Sequence, residues 1–167
     1  HDHPESSIVH RKVLALLFSL LLVPACVLAA SPAPAPPSIA ATGYLLIDVD
    51  SDSILAAKDS EQRLEPASLT KIMTTYVVFR ELRGGSVKES DEVLVSEKAW
   101  KTPGSRMFIE VNKRVSVSDL LKGMIIQSGN DASVALAEHV AGSEQAFANL
   151  MNDHAHRLGM LDTHFVN

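Results

Sequence analysis

The alternation of apolar and polar positions divides the chain into stretches of different character. Val13 to Ala30 is a nearly continuous apolar run, and the S-P-A-P-A-P-P that follows it cannot continue a helix and has no periodicity to bury. Gly43 to Asp50 (G-Y-L-L-I-D-V-D) predicts a strand, and Ser53 to Lys58 its partner across a turn at Asp50-Ser51-Asp52. From Pro66 onward, Leu69, Ile72, Met73, Tyr76, Val77 and Val78 recur at helical spacing until Gly84-Gly85 stops them. So broad an apolar face predicts a helix running through the middle of a domain. Short strands are expected at Glu92 to Val95 and Met107 to Val111, with Lys101-Thr102-Pro103-Gly104 as a turn between them. Ser116 begins a capping box with Asp119 and opens a helix to about Gln127; a second runs from Asp131 to Val140, closed by Gly142. Ser143 caps a third helix carrying Phe147, Leu150, Met151 and Leu158, which Gly159 ends. Leu161 to Asn167 is expected to approach another strand or loop. Strands, a central helix and a helical cluster place the chain in the α+β class, mixed helices with antiparallel sheet.

The apolar run changes the picture of the N-terminus. Arg11 and Lys12 before it and the small-residue spacing Val27-Leu28-Ala29 at its end describe an export signal over residues 1–30, cut after Ala29 or Ala30. Residues 31–41 then form a Pro/Ala-rich linker. Retention as a membrane anchor is the rival reading, with a length near the lower limit for spanning a bilayer. A lipoprotein site at Val23-Pro24-Ala25-Cys26 fits badly, because of Pro24 and the apolar residues after Cys26. The chain begins with His1 rather than methionine, and Val9 is an alternative initiation point. Cys26 is the only cysteine, so its loss with the signal argues against a disulfide framework, a thiolate nucleophile or a cysteine metal site in the exported product. A net charge of -5 and a pI near 5.8 leave no footprint for nucleic acid. The length of 167 residues bounds one domain at most.

Candidate chemistry begins at E-P-A-S-L-T-K, Glu65 to Lys71. Residues three apart share one helix face at about 5–6 Å, so Ser68 and Lys71 can approach each other. A serine hydroxyl is a poor nucleophile, and a lysine amine held neutral by desolvation can take its proton. The positive end of the helix also disfavours the protonated amine. The plainer reading is that Ser68 occupies a first helical turn while Lys71 snorkels outward, but Ile72 and Met73 flank the lysine with buried-type residues. Ser128-Gly129-Asn130 lies between two predicted helices. There Ser128 can relay a proton, Asn130 can hold a substrate or steady the lysine, and Gly129 permits a tight backbone path. The competing reading is a connector in which Asn130 or Asp131 caps the next helix.

Other clusters carry less. Asp48, Asp50 and Asp52 have the spacing of a calcium loop, but its sixth position is Ser53 and its twelfth Asp59, which favours a hairpin. His139, His154, His156 and His164 read as solvated or partly packed, since His154 and His156 do not share a helix face and H-E-x-x-H is absent. Met107-Phe108-Ile109 reads as a buried strand rather than a cofactor surface. There is no glycine-rich phosphate loop, and no cofactor is expected.

E-P-A-S-L-T-K-I-M-T at Glu65 to Thr74, with K-G-M-I-I-Q-S-G-N-D-A at Lys122 to Ala132, resembles the serine-type D-alanyl-D-alanine carboxypeptidases, the low-molecular-mass penicillin-binding proteins. The resemblance runs from about Gly43 to the last residue, through the M-F-I-E and A-G-S-E-Q-A-F-A-N-L-M-N stretches. It implies the penicillin-binding protein/β-lactamase-like transpeptidase fold. It also implies Ser68 as the acyl-accepting nucleophile, Lys71 as general base, Ser128 as the second active-site serine and Asn130 as a substrate-positioning residue. The third family motif, K-T-G, is absent: Lys101-Thr102-Pro103-Gly104 is interrupted by proline and precedes S-G-N. Its expected place is beyond Asn167, so residues 42–167 read as the N-terminal portion of a catalytic domain with little turnover of its own.

The activity implied for the full-length parent is removal of the terminal D-alanine from peptidoglycan pentapeptides in the periplasm, with β-lactams as covalent inhibitors. Peripheral association with the outer face of the cytoplasmic membrane, through a segment beyond Asn167, is a further implication. Within the same chemistry, a class A β-lactamase would carry S-D-N, whereas a D,D-endopeptidase differs mainly in access to the cleft. A non-catalytic penicillin- or peptidoglycan-binding homologue is opposed by the joint presence of Ser68, Lys71, Ser128 and Asn130.

Overall fold

The computed structural model describes residues 35–167, and the chain separates into a unit up to Gln62 and a unit from Arg63 to Asn167. The expected export signal, and the linker up to residue 34, lie outside the described residues.

In the first unit, β1 (Tyr44–Ile47) pairs antiparallel with β2 (Ile54–Lys58), with Leu45 opposite Ala57 and a bulge between Leu46 and Ile47. The strand ends earlier than the apolar pattern predicts because Asp48 starts the turn. Its Oδ1 accepts the Ser51 N–H at 2.8 Å and the Ser51 hydroxyl at 2.7 Å, which holds this carboxyl below its usual range. Aspartates that mimic a calcium loop therefore include one that builds a turn. Leu45, Leu46, Ile54 and Leu55 are all exposed, so apolar side chains occupy both faces of the hairpin.

The second unit is a helical cluster with a small ribbon. A 3-10 turn (Ala67–Leu69) leads into α1 (Thr70–Gly84), which Gly85 closes in the left-handed conformation at φ 78°. The ribbon joins β3 (Glu92–Leu94) to β4 (Arg114–Ser116), with Val93 opposite Val115. Between these strands lies the short helix α2 (Glu97–Lys101), capped by Ser96 Oγ accepting the Ala99 N–H at 2.9 Å. Then come α3 (Val117–Gln127), α4 (Asn130–Ala141) and α5 (Glu144–Arg157). Ser116 and Ser143 cap α3 and α5 as expected, each accepting an N–H at 3.1 Å.

Three expectations are corrected. Met107 to Val111 is irregular rather than a strand, and the partner of β3 is Arg114–Ser116. The apolar run Met107-Phe108-Ile109 suits a buried strand, but Phe108 has φ 64° and the Met107, Phe108 and Ile109 N–H groups turn to a carboxylate instead of a strand. The centre of the unit is α4, in contact with α1, α2, α3, α5 and β3, rather than the helix after Pro66. On α1 only Met73, Thr74, Val77 and Val78 are buried, and Leu69 before it, Ile72 and Phe79 are exposed. Lys101 is the last residue of α2, so the expected turn begins at Thr102.

Core packing joins Val77, Val78, Leu120, Met124, Leu136, Phe147 and Met151. Asn152 pins the C-terminal stretch, donating from Nδ2 to the Phe165 carbonyl at 2.8 Å and accepting the Phe165 N–H at 2.7 Å. Gly123 on α3 lets that helix approach Met107, since a Cβ there would lie 2.2 Å from Met107 Sδ and 2.9 Å from its Cβ. Gly123→Ala should gain about 1 kcal/mol of helix propensity and lose about 1–3 kcal/mol by overpacking. The clash with Met107 Cβ, close to the backbone, makes net loss the expected result, read as a lower urea midpoint at unchanged slope.

Candidate active site

Ser68 sits on the 3-10 turn that feeds α1, and its side chain is exposed. The preceding residue, Ala67, has φ 48°, a left-handed conformation that costs a residue with a Cβ on the order of 1–2 kcal/mol. The chain regains helical geometry at once, as the Thr70 N–H bonds back to the Ala67 and Ser68 carbonyls. The strained residue therefore sets the angle at which the serine is presented. Leu69 and Thr70 have helical backbone angles, so Ser68 and Lys71, three apart, share one side of the turn and helix.

Lys71, the second residue of α1, is half-buried, and desolvation holds its amine below the ordinary lysine range. Its Nζ donates to Asn130 Oδ1 at 2.7 Å. The amide orientation follows from its other contact: Asn130 Nδ2 donates to the Pro103 carbonyl at 2.8 Å, and a carbonyl can only accept. The Asn130 N–H also donates to the Ser105 carbonyl at 2.7 Å. Gly104, with φ 90°, closes this loop, where a Cβ would sit 2.6 Å from Asn130 Nδ2.

Ser128 ends α3 in the left-handed conformation at φ 56° and is half-buried. The special backbone angle is thus at Ser128, and Gly129 has an ordinary φ of -61°. The glycine is needed for space instead: its Cβ would lie 3.1 Å from Asp131 Oδ1, 3.2 Å from the Gly123 carbonyl and 3.3 Å from the Met107 nitrogen.

Of the sequence-predicted residues, Lys71 and Asn130 are in direct contact, across 59 positions of chain. Ser128 lies two residues before Asn130 and Ser68 one turn before Lys71. Among the described residues neither serine hydroxyl bonds to the lysine, whose amine donates to Asn130. An exposed hydroxyl on a strained turn, three residues before a partly desolvated amine, is an arrangement suited to nucleophilic acyl transfer.

Sequence reasoning missed the role of Asp131. Its position suggests only a helix cap, yet it is 1% exposed and accepts backbone N–H bonds from Met107, Phe108 and Ile109. The available signal was a lone carboxylate leading the apolar run Ala132, Val134, Ala135, Leu136. The histidines have separate surroundings: His139 Nε2 is 3.6 Å from Asp91, and His154 meets the Tyr76 ring edge-on at 5.4 Å. No group of metal-ligating residues able to hold an ion is found among the described residues.

Residues 30–167 match the D-alanyl-D-alanine carboxypeptidase family, Peptidase S11. The D-alanyl-D-alanine carboxypeptidase DacC of Escherichia coli is 47% identical over 135 residues, spanning 77% of this chain and 34% of that protein. The crystal structure of the D-alanyl-D-alanine carboxypeptidase DacD from Francisella tularensis superposes with a TM-score of 0.77 at 41% identity, covering 81% of this chain and 33% of that one. Penicillin binding protein 5 from Haemophilus influenzae gives 0.76 at 44% identity, over 80% of this chain and 40% of that one. The chain thus spans about a third of the length of such curated relatives, with their mixed penicillin-binding protein fold over the matched part, and it belongs to the D-alanyl-D-alanine carboxypeptidase family.

Proposed function

We propose that this chain carries the nucleophile and base of a serine-type D-Ala-D-Ala carboxypeptidase that trims peptidoglycan stem peptides. Ser68 Oγ attacks the carbonyl carbon of the penultimate D-alanine while Lys71 takes the hydroxyl proton. The peptide bond breaks, the proton passes through Ser128 to the leaving amine, and free D-alanine departs. Water then attacks the ester on Ser68 while Lys71 accepts its proton and returns it to Ser68 Oγ as the acyl C–O bond breaks, and the shortened peptide leaves. Asn130 orients the substrate and steadies the lysine. β-Lactams acylate the same serine because their strained amide mimics the dipeptide. Recognition of the terminal carboxylate falls to a K-T-G-type strand, which the 167 residues do not contain. The leader-like residues 1–30 support a periplasmic site of action.

The observation that carries this reading is the Lys71–Asn130 hydrogen bond, which joins the two motifs at one point beside the Ser68 turn. The test is release of D-alanine by the full-length gene product from a peptide ending in D-Ala-D-Ala, beside a control ending in L-Ala-L-Ala. Release from the first alone is expected; no release by a folded protein, or equal release from both, contradicts the reading.

A further inference from the structure

Asp131 takes no part in the proposed chemistry, yet its carboxylate is fully engaged. Oδ1 accepts the Met107 N–H at 3.0 Å and the Ala132 N–H at 2.9 Å, and Oδ2 accepts those of Phe108 and Ile109 at 2.9 and 3.2 Å. Successive N–H groups of an extended chain point to opposite sides, so three can converge only where the backbone departs from it. Phe108 provides that departure with φ 64°, and the resulting concavity of N–H groups suits an anion. Phe108 is 74% exposed, and apart from the Arg106 guanidinium 5.1 Å from its ring, the contacts that engage this stretch of backbone are those of the carboxylate.

The other end of the same segment is tied to the neighbouring residue. The Pro103 and Ser105 carbonyls accept from the Asn130 side chain and backbone, and only a glycine at 104 makes room for the amide, since a Cβ there would lie 2.6 Å from Asn130 Nδ2. Consecutive residues at the start of α4 therefore clamp one segment at both ends. The clamp leaves Asn130 Oδ1 aimed at Lys71 Nζ.

We propose that Asp131 is a positioning residue of the acyl-transfer site: its carboxylate fixes Pro103–Ile109, and that segment fixes the Asn130 amide against Lys71. This rests on the assignment of Ser68 and Lys71 as nucleophile and base. Asparagine cannot replace the aspartate, because its NH2 group would face N–H donors where an oxygen now accepts.

The test uses the full-length gene product with Asp131→Asn, Asn130→Ala and both together, measuring the β-lactam acylation rate constant at saturation per titratable molecule across pH. Asp131→Asn should acylate about 10- to 100-fold more slowly, since small misplacements in such sites cost that much. Its acid limb should move to higher pH as Lys71 regains water, and the substitution should add nothing in the Asn130→Ala background. A purely structural role would lower the melting temperature and the titratable fraction but leave the rate constant and pH limb of folded molecules unchanged; that result, or additive effects, overturns the proposal. Where Asp131→Asn fails to fold, Gly104→Ala disturbs the segment from its exposed end, and wild-type constants in that variant overturn it equally. Absence of acylation in the wild-type protein itself would defeat the underlying assignment, and this proposal with it.

Discussion

In the full-length gene product, Ser68→Ala is expected to abolish D-alanine release while leaving the fold intact. Loss of a nucleophilic serine from a protease triad costs on the order of 10⁶-fold in kcat, and a loss of that order takes turnover below detection here. The structural argument concerns the other half of the prediction. Ser68 is exposed and its hydroxyl serves no hydrogen bond among the described residues, so its removal should change stability by no more than about 0.5 kcal/mol. The Ala67 strain and the bonds that close the turn are backbone features and survive the substitution. Release assays and thermal melts on the same preparations check both halves. A melting temperature lowered in step with activity would show that the residue supports the fold instead.

Lys71→Ala is expected to slow acylation by about 10²–10⁴-fold, the usual worth of a positioned general base. Lys71→Arg should not rescue it, because guanidinium stays charged and cannot accept the serine proton. The pH dependence follows from desolvation, which lowers the Lys71 pKa from 10.5. Wild-type acylation should rise with pH as the amine loses its proton, with the limb below the ordinary lysine range. Stability carries the same sign. Between the depressed folded pKa and the unfolded value, the unfolded chain holds more protons, so this group makes stability increase with pH across that window. Below the folded pKa it imposes a constant cost. Lys71→Met should remove both the acylation limb and this part of the stability slope, as measured by stopped-flow labelling and by urea denaturation at several pH values.

Much of the helical cluster was legible in the sequence because its signals are local. Ser116 and Ser143 cap where their positions suggest, and Gly85 and Gly142 close helices at positive φ. The approach of Lys71 to the S-G-N stretch, by contrast, depends on tertiary packing that no spacing encodes. The failures have the same origin. Met107 to Val111 is apolar enough to read as a buried strand, but a carboxylate 22 to 24 residues away captures the N–H groups of Met107, Phe108 and Ile109. Short α2 leaves little trace in the sequence because five residues give too little periodicity, although Ser96 before Glu97 is a usable cap signal. Apolar residues on α1 mark what can be buried without saying which are: Val77 and Val78 are, whereas Ile72 and Phe79 are exposed.

Peptide-mapped mass spectrometry of the full-length gene product after exposure to penicillin tests the central claim most directly. The account predicts one covalent adduct, of the mass of the intact antibiotic, on the peptide containing Ser68 and absent from the Ser68→Ala protein. An adduct on Ser128 or elsewhere, or a folded wild-type protein that takes no label, would contradict it.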